Sequence, residues 1–257
     1  MSADDATLNA YLPVADQGAS SSPAADEETP RTQVERAYRS LRHDIIHGGR
    51  LPGERLKVEH LRQEYGVGAG TLREALALLL SDALVTMEGQ RGYRVARISL
   101  QDLRDLTDTR VMLETHALRQ SIRHGDDRWE AQLVAAFEQL RVIECDDNGL
   151  DPVLWEQANQ RFHHALIANC GSAWTHHLLG VLYRHGERYR HVAIRLGAVS
   201  KLHRDVHVEH VNIYKAAVAR QEARAALALE SHIRLTCELL MEHAQRFDQR
   251  NDLPSRI

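Results

Sequence analysis

Gly68-Ala69-Gly70-Thr71-Leu72-Arg73-Glu74-Ala75-Leu76 is the stretch that decides the fold. It opens a helix immediately after a tight turn. Tyr65-Gly66-Val67 closes the segment before it, and Leu72, Leu76 and Leu79 recur on one helical face. Val58–Tyr65 reads as the preceding helix and Ala69–Asp82 as the helix itself. Leu84-Val85-Thr86-Met87 and Tyr93-Arg94-Val95-Ala96 read as two strands joined through Glu88-Gly89-Gln90-Arg91-Gly92. Helix, tight turn, helix and glycine-containing ribbon is the plan of a winged helix-turn-helix. Upstream, Val34, Tyr38, Leu41, Ile45 and Ile46 repeat at near-helical spacing from Thr32 onward. Gly48-Gly49 stops that helix, and Pro52-Gly53 makes a turn.

In this plan the start of the second helix enters the DNA major groove, which puts Thr71 and Arg73 at base edges or phosphates. Arg73 suits a bidentate hold on guanine, and Thr71 a phosphate or a thymine methyl. The ribbon turn brings Gln90, Arg91 and Gly92 to the minor groove or backbone, and Lys57 joins from ahead of the first helix. The charge distribution agrees. The chain carries a net −4 overall. Residues 1–30 hold six acids and no Lys or Arg, whereas residues 31–97 hold twelve Lys/Arg against eight Asp/Glu. The basic excess therefore falls on the candidate reading head, as attraction to phosphate requires.

The organisation follows. Residues 1–30 read as a disordered acidic tail, because Gly18-Ala19-Ser20-Ser21-Ser22-Pro23 and the acids after it have little to bury. Residues 31–97 form the DNA-binding domain, 98–247 a helical domain for effector binding and dimerisation, and 248–257 a C-terminal tail. Ser99-x-x-Asp102 resembles a capping box, and the stripe Leu103, Leu106, Val111, Leu113, Ala117 and Leu118 continues that helix. Further helices are expected at about 127–144, 152–168 and 173–196. The segment 200–247 is too long for one helix in a compact domain and is expected to fold back near Arg220-Gln221. The fold class is mainly α: a winged head followed by an antiparallel bundle of about six helices. No apolar run is long enough to span a membrane. Cys145, Cys170 and Cys237 lack any CxxC pairing and suit free thiols in a cytoplasmic protein.

Within the bundle, Asn159 and His163 stand at i and i+4 on one helix face. If residues 200–247 form a hairpin bent near 221, His210 and His232 lie level, and both can face that pair. Three imidazoles and one amide oxygen suit a divalent ion such as Zn²⁺, Ni²⁺ or Mn²⁺. The sixteen histidines also supply other pairs, among them His203/His207 and His207/His210.

The head resembles the DNA-binding domain of the GntR family, through Pro52-Gly53-Glu54-Arg55-Leu56, Tyr65-Gly66-Val67, Leu72-Arg73-Glu74-Ala75-Leu76 and Gly92-Tyr93-Arg94-Val95. Gly68-Ala69-Gly70 stands where that family usually has Ser-Arg-Thr, which shifts base readout toward Thr71, Arg73 and the wing. From Ser99 to about His243 the chain resembles the helical FCD effector domain of the FadR branch of that family. The match rests on Thr109-Arg110-Val111-Met112-Leu113-Glu114, Asn159-x-x-Phe162-His163, Glu209-His210 and His232. The resemblance implies that Asn159, His163, His210 and His232 hold a metal beneath a small-carboxylate pocket. Asn169-Cys170-Gly171-Ser172 with Tyr189-Arg190 is similar to members of that branch governing GABA and glutarate catabolism, which implies a dicarboxylate-like effector.

Arg110, Arg188, Arg190 and Arg195 are candidate carboxylate clamps, with Arg110 preferred because it lies in the matched segment. Together these readings describe a ligand-responsive repressor. As a two-fold homodimer it would read a palindromic operator. Two alternatives stand beside it. One is a metal-dependent enzyme on the histidine bundle, against which the chain has no HExxH, GxSxG or phosphate loop, and only Glu209 near a candidate ligand. The other is a constitutive DNA-binding protein without an effector.

Overall fold

The computed structural model describes residues 30–89, 92–146, 151–195 and 205–250. Helix α1 (Gln33–Ile46) begins where the Thr32 hydroxyl accepts the Glu35 N–H at 3.0 Å. Ala37, Leu41 and Ile45 recur every fourth residue, so one face of α1 is buried. Strand β1 (Arg55–Leu56) follows, then α2 (Val58–Tyr65), which Gly66 ends in the left-handed region at φ 63°. Helix α3 (Ala69–Ser81) buries Leu72, Ala75, Leu76 and Leu79 against α1 and α2. Strands β2 (Val85–Met87) and β3 (Tyr93–Val95) complete a three-stranded antiparallel sheet in the order β1-β3-β2. Arg55 pairs with Arg94, and Val85 with Val95.

β1 was not expected from the sequence. A two-residue strand is too short for alternation to register, and Pro52-Gly53 reads only as a turn. The pairing is nonetheless anchored. Arg94 donates from Nε to Glu88 at 2.7 Å and from an Nη to the Gly53 carbonyl at 3.0 Å.

The C-terminal part is helical. Helix α4 (Leu100–His124) starts as the capping box predicts, with the Ser99 hydroxyl accepting the Asp102 N–H at 3.0 Å. Asp126 caps α5 (Asp127–Glu144), and Asp151 caps α6 (Pro152–Ile167), whose proline occupies the first turn. Helices α7 (Ala173–Arg195), α8 (Val206–Val218) and α9 (Glu222–Arg250) complete the bundle. Its core includes Leu118, Trp129, Leu133, Phe137, Leu140, Phe162, Leu166, Ile213, Leu229 and Ile233.

The predicted fold-back lies between α8 and α9. The Gln221 N–H bonds to Ala216 O at 2.9 Å and the Arg220 N–H to Ala217 O at 3.0 Å, a Schellman motif. Arg220 holds the left-handed position at φ 56°, where glycine is usual. Its guanidinium explains this. It donates to the Ile122 and Gly125 carbonyls at 3.0 and 2.8 Å and to Glu130 at 3.0 Å, and lies 4.8 Å from the Trp129 ring centroid.

Helix α7 joins the two parts. Arg184 pairs with Asp82 at 2.9 Å, and the His185 ring meets the Asp82 carbonyl at 2.9 Å. The buried Arg188 donates to the Ala96 carbonyl. The Tyr189 hydroxyl bonds the Ser99 backbone and the Asp102 carboxylate. No helix among the described residues is long and apolar enough to cross a membrane.

Candidate functional site

Asn159 and His163 sit on the buried face of α6, beside Phe162. His210 comes from α8 and His232 from α9, brought level by the Arg220 bend. The three imidazoles are buried, and their ligand atoms lie within 4.8 Å of one another. Ring centroids are 5.7 Å apart for His163/His210, 5.1 Å for His163/His232 and 4.8 Å for His210/His232. The sequence reading thus meets in space for all three histidines, with Asn159 one turn before His163.

Two carboxylates hold the rings. His210 Nδ1 lies 2.8 Å from Glu144 Oε1 and His232 Nδ1 lies 2.9 Å from Glu209 Oε2. A carboxylate only accepts, so each Nδ1 carries its hydrogen, and in the neutral ring Nε2 then presents a lone pair. Glu144 also takes His207 Nδ1 at 2.9 Å and the Trp155 indole N–H at 3.0 Å. Carboxylate–imidazole pairs of this kind orient metal-ligating histidines. Burial raises the Glu144 carboxyl, but its bonds to His210, His207 and Trp155 outweigh that and hold it below its ordinary range. Burial, then the neighbouring His232 and His210, push His163 well below its ordinary range, so its ring is neutral and free to donate electrons.

Within this cluster, His210 Nε2 and Asn159 Oδ1 are buried and lack a hydrogen-bond partner among the described residues. An orphaned buried acceptor is costly, and a cation between these atoms would satisfy both. The donor set therefore fits a divalent ion.

A cavity of about 40 Å³ adjoins the cluster, bordered by Arg110, Arg190, Tyr183, Gln160, His163 and His232. A single water centre needs roughly 10–15 Å³, so this is room for a few waters or a small ligand group. Arg110 donates from Nε to the fully buried Glu114 at 2.7 Å and lies 5.2 Å from the Tyr183 ring centroid. Burial raises the Glu114 carboxyl, with Arg110 opposing. Arg190 is bound to Glu156 through Nε and an Nη. On α7, Gly186 clears the space these arginines occupy, since a Cβ there would stand 2.9 Å from an Arg110 Nη.

The third clamp is placed differently. Arg188 does not border this cavity; it is buried at the joint with the head, against the Ala96 carbonyl. Burial lowers its guanidinium to about 10. The α-helical repeat explains the difference, because residues two apart face in divergent directions. Arg195 closes α7, and its side chain lies outside the described residues.

Sequence reasoning missed Glu144, Glu156, Glu187 and Gly186. Glu144 is the last residue of α5 and meets His210 only through tertiary packing, so no local spacing marks it. Glu209 was visible as a neighbour of His210. Its partner is instead His232 on the facing helix.

At the head, Arg73 and Lys57 are exposed and Thr71 is half-buried in the first turn of α3. Arg50 and Arg62 are tied to Glu54, Glu64 and Glu59, whereas Arg73 and Lys57 form no ion pair among the described residues. No side chain caps the start of α3 at Gly68, which leaves its first N–H groups open to an anionic partner. Gly92 takes φ 87° at the base of the ribbon turn. Gln90 and Arg91 lie outside the described residues.

Comparison with known proteins agrees with both halves. Residues 33–95 match the model of the bacterial regulatory proteins of the gntR family, and residues 105–235 match the FCD domain. The HTH-type transcriptional regulator BphR of Paraburkholderia xenovorans is 43% identical over 208 residues, covering 79% of this chain and 83% of that protein. The HTH-type transcriptional repressor GlaR of Escherichia coli is 36% identical over 198 residues, covering 76% of this chain and 90% of that one. A transcriptional regulator GntR of Rhodococcus sp. RHA1 superimposes with a TM-score of 0.65 at 22% identity, over 82% of this chain and 98% of that one, which speaks to the fold. The enzyme alternative falls with these matches, since the family and the relatives are regulators. The chain belongs to the GntR family of bacterial transcriptional regulators, with a DNA-binding winged helix-turn-helix followed by an FCD domain.

Proposed function

We propose that this regulator is a repressor whose hold on DNA is set by a small carboxylate bound beside the histidine cluster. The observation that carries the reading is the pair of orphaned buried atoms, His210 Nε2 and Asn159 Oδ1, in a cluster whose Asn159, His163 and His232 line a cavity that two arginines also border. His163, His210, His232 and Asn159 would hold a divalent ion, with Zn²⁺, Ni²⁺ or Mn²⁺ all compatible with this donor set. The bound ion supplies positive charge and an open coordination position. Arg110 and Arg190 orient the carboxylate, and a guanidinium has five donors, so Arg110 keeps spare N–H groups after pairing with Glu114. Two arginines favour a dicarboxylate over a monocarboxylate.

Helix α7 carries the signal. Arg190 borders the cavity, while Arg184, His185, Arg188 and Tyr189 on the same helix grip the head and its linker at Asp82, Ala96 and Ser99. A ligand that draws Arg190 shifts this grip. A coupling of about 1–3 kcal/mol makes a useful switch. The protein acts in the cytoplasm as a homodimer on a palindromic operator, each head offering Thr71, Arg73, Lys57 and the wing residues Gln90, Arg91 and Gly92. The repressor assignment follows the relative named as a repressor.

The test is a thermal-shift screen of short mono- and dicarboxylates on metal-loaded protein. A ligand at a hundred times its Kd adds about 2.7 kcal/mol of stability. The shift is expected in wild type and absent in His163→Ala and Arg190→Met. A ligand that stabilises all three proteins equally binds elsewhere, and the cavity assignment then fails.

A further inference from the structure

A second histidine cluster lies away from the first, at the joint between head and bundle. His47, which follows α1, faces Glu187 and His191 on α7. We propose that His47, Glu187 and His191 form an inter-domain site for a divalent transition-metal ion that fastens the reading head to the sensory bundle. The proposal stands apart from the carboxylate reading above, because it needs neither His163, His210 nor His232.

The spacing favours an ion over hydrogen bonds. Glu187 Oε1 lies 3.7 Å from His47 Nε2 and 3.6 Å from His191 Nε2. Both distances exceed an ordinary N–H···O hydrogen bond, whose N···O separation is about 2.9–3.0 Å. They approach the ligand–ligand edge of about 3.3 Å that follows from Zn–N and Zn–O bonds near 2.0–2.1 Å in a tetrahedron. All three ligand atoms lie within 4.8 Å of one another.

The ring orientations support the same occupant. His47 Nδ1 lies 2.9 Å from the His43 carbonyl, which only accepts, so Nδ1 carries a hydrogen. In the neutral ring its Nε2 then presents a lone pair toward Glu187. Lone pair against carboxylate is repulsive unless something positive stands between them. A backbone carbonyl on the far ring nitrogen is also the usual outer partner of a metal-binding histidine. On the other side, His191 Nε2 is buried and has no hydrogen-bond partner.

An ion can reach the site. His47 and Glu187 border a cleft of about 520 Å³ between α1 and α7, lined also by Arg39, Arg42 and Arg184. Arg39 is paired with Glu35 and Arg184 with Asp82, which offsets their repulsion of a cation. Two imidazoles and one carboxylate, with water completing the shell, suit Zn²⁺, Co²⁺ or Ni²⁺ and not the all-oxygen cations. Glu187 also borders the carboxylate cavity, so an ion here would be one side chain away from the sensory ligand.

The experiment is a chelator-competition titration of Zn²⁺ into the full chain, with Co²⁺ absorption as a second readout. His47→Gln and His191→Gln should each lose one tight ion relative to wild type. The loss in affinity should exceed the roughly 10–100-fold typical of an outer-shell partner. A His210→Ala/His232→Ala variant should keep this ion, with its tetrahedral Co²⁺ spectrum. That variant separates failure of this site from failure of the sensory one. Circular dichroism in chelator establishes that each variant is folded. The site is refuted if folded His47→Gln and folded His191→Gln both bind as many ions as wild type, equally tightly.

Discussion

Arg220 offers a direct stability test, because it places a charged side chain where the backbone prefers glycine. The left-handed conformation costs an L-residue about 1–2 kcal/mol. Against this stand two bonds to the Ile122 and Gly125 carbonyls, an ion pair with Glu130 and the stacking over Trp129. A hydrogen bond from a charged group is worth about 1.5–3 kcal/mol, and partial exposure puts these at the lower end. The exposed ion pair adds about 0–1 kcal/mol and the cation–π contact about 0.5–1 kcal/mol. Arg220→Ala keeps the backbone strain and loses every contact, a cost of about 3.5–5 kcal/mol. Arg220→Gly loses the same contacts but relieves the strain, less about 0.4–1 kcal/mol for the looser unfolded chain. The predicted order is therefore wild type, then glycine, then alanine, with the last two separated by about 0.5–1 kcal/mol. Urea unfolding of metal-free protein, followed by Trp fluorescence, reads this order. If glycine matches or exceeds wild type, the guanidinium does not hold the bend, and the level placement of His210 and His232 needs another cause.

Three further outcomes follow from the geometry. Glu144→Gln keeps the shape but removes the charge that orients His210 and His207, so metal affinity at the histidine cluster should fall by roughly 10–100-fold in a competition titration; an unchanged affinity would detach Glu144 from the site. Tyr38 and Tyr189 are held above their ordinary range by burial and by bonds to Asp82 and Asp102. Their contribution is fully present below the unfolded value of about 10 and is lost as pH rises beyond it; Tyr189→Phe should flatten the alkaline fall in Tm, and an identical fall in both proteins would contradict the assignment. Gly70 has open space where a Cβ would stand, so Gly70→Ser should leave the unfolding free energy within about 1 kcal/mol of wild type, the helix cost of losing or gaining glycine, while altering operator affinity in a fluorescence-anisotropy titration. Equal affinity on every operator variant would remove the start of α3 from the DNA contact.

The head was legible in the sequence because its signals are local. Gly66 ends one helix, Leu72, Leu76 and Leu79 stripe the next, and Gly92 turns the ribbon. The bundle was legible for the same reason, through Ser99 and Asp102 at one helix start and apolar stripes beyond. The bend near residue 220 was expected because residues 200–247 are too long for one helix in a compact domain, although no glycine or proline marks it. What escaped the sequence depends on long-range packing. β1 exists only because β3 lies beside it. Glu144 serves His210 across sixty-six positions. Arg188 and Arg190 look equivalent in the sequence, yet two helical steps send one to the head and the other to the cavity.

Operator binding in the presence of ligand tests the central claim most directly. The assay is anisotropy titration of metal-loaded protein against DNA from its own promoter region, with and without a carboxylate that stabilises it. The account predicts that the ligand weakens operator binding by roughly 5–150-fold, the range of a 1–3 kcal/mol coupling, and that Arg190→Met binds the operator but ignores the ligand. An operator affinity unmoved by any stabilising carboxylate would contradict it, leaving a DNA-binding protein whose histidine cavity plays no part in the switch.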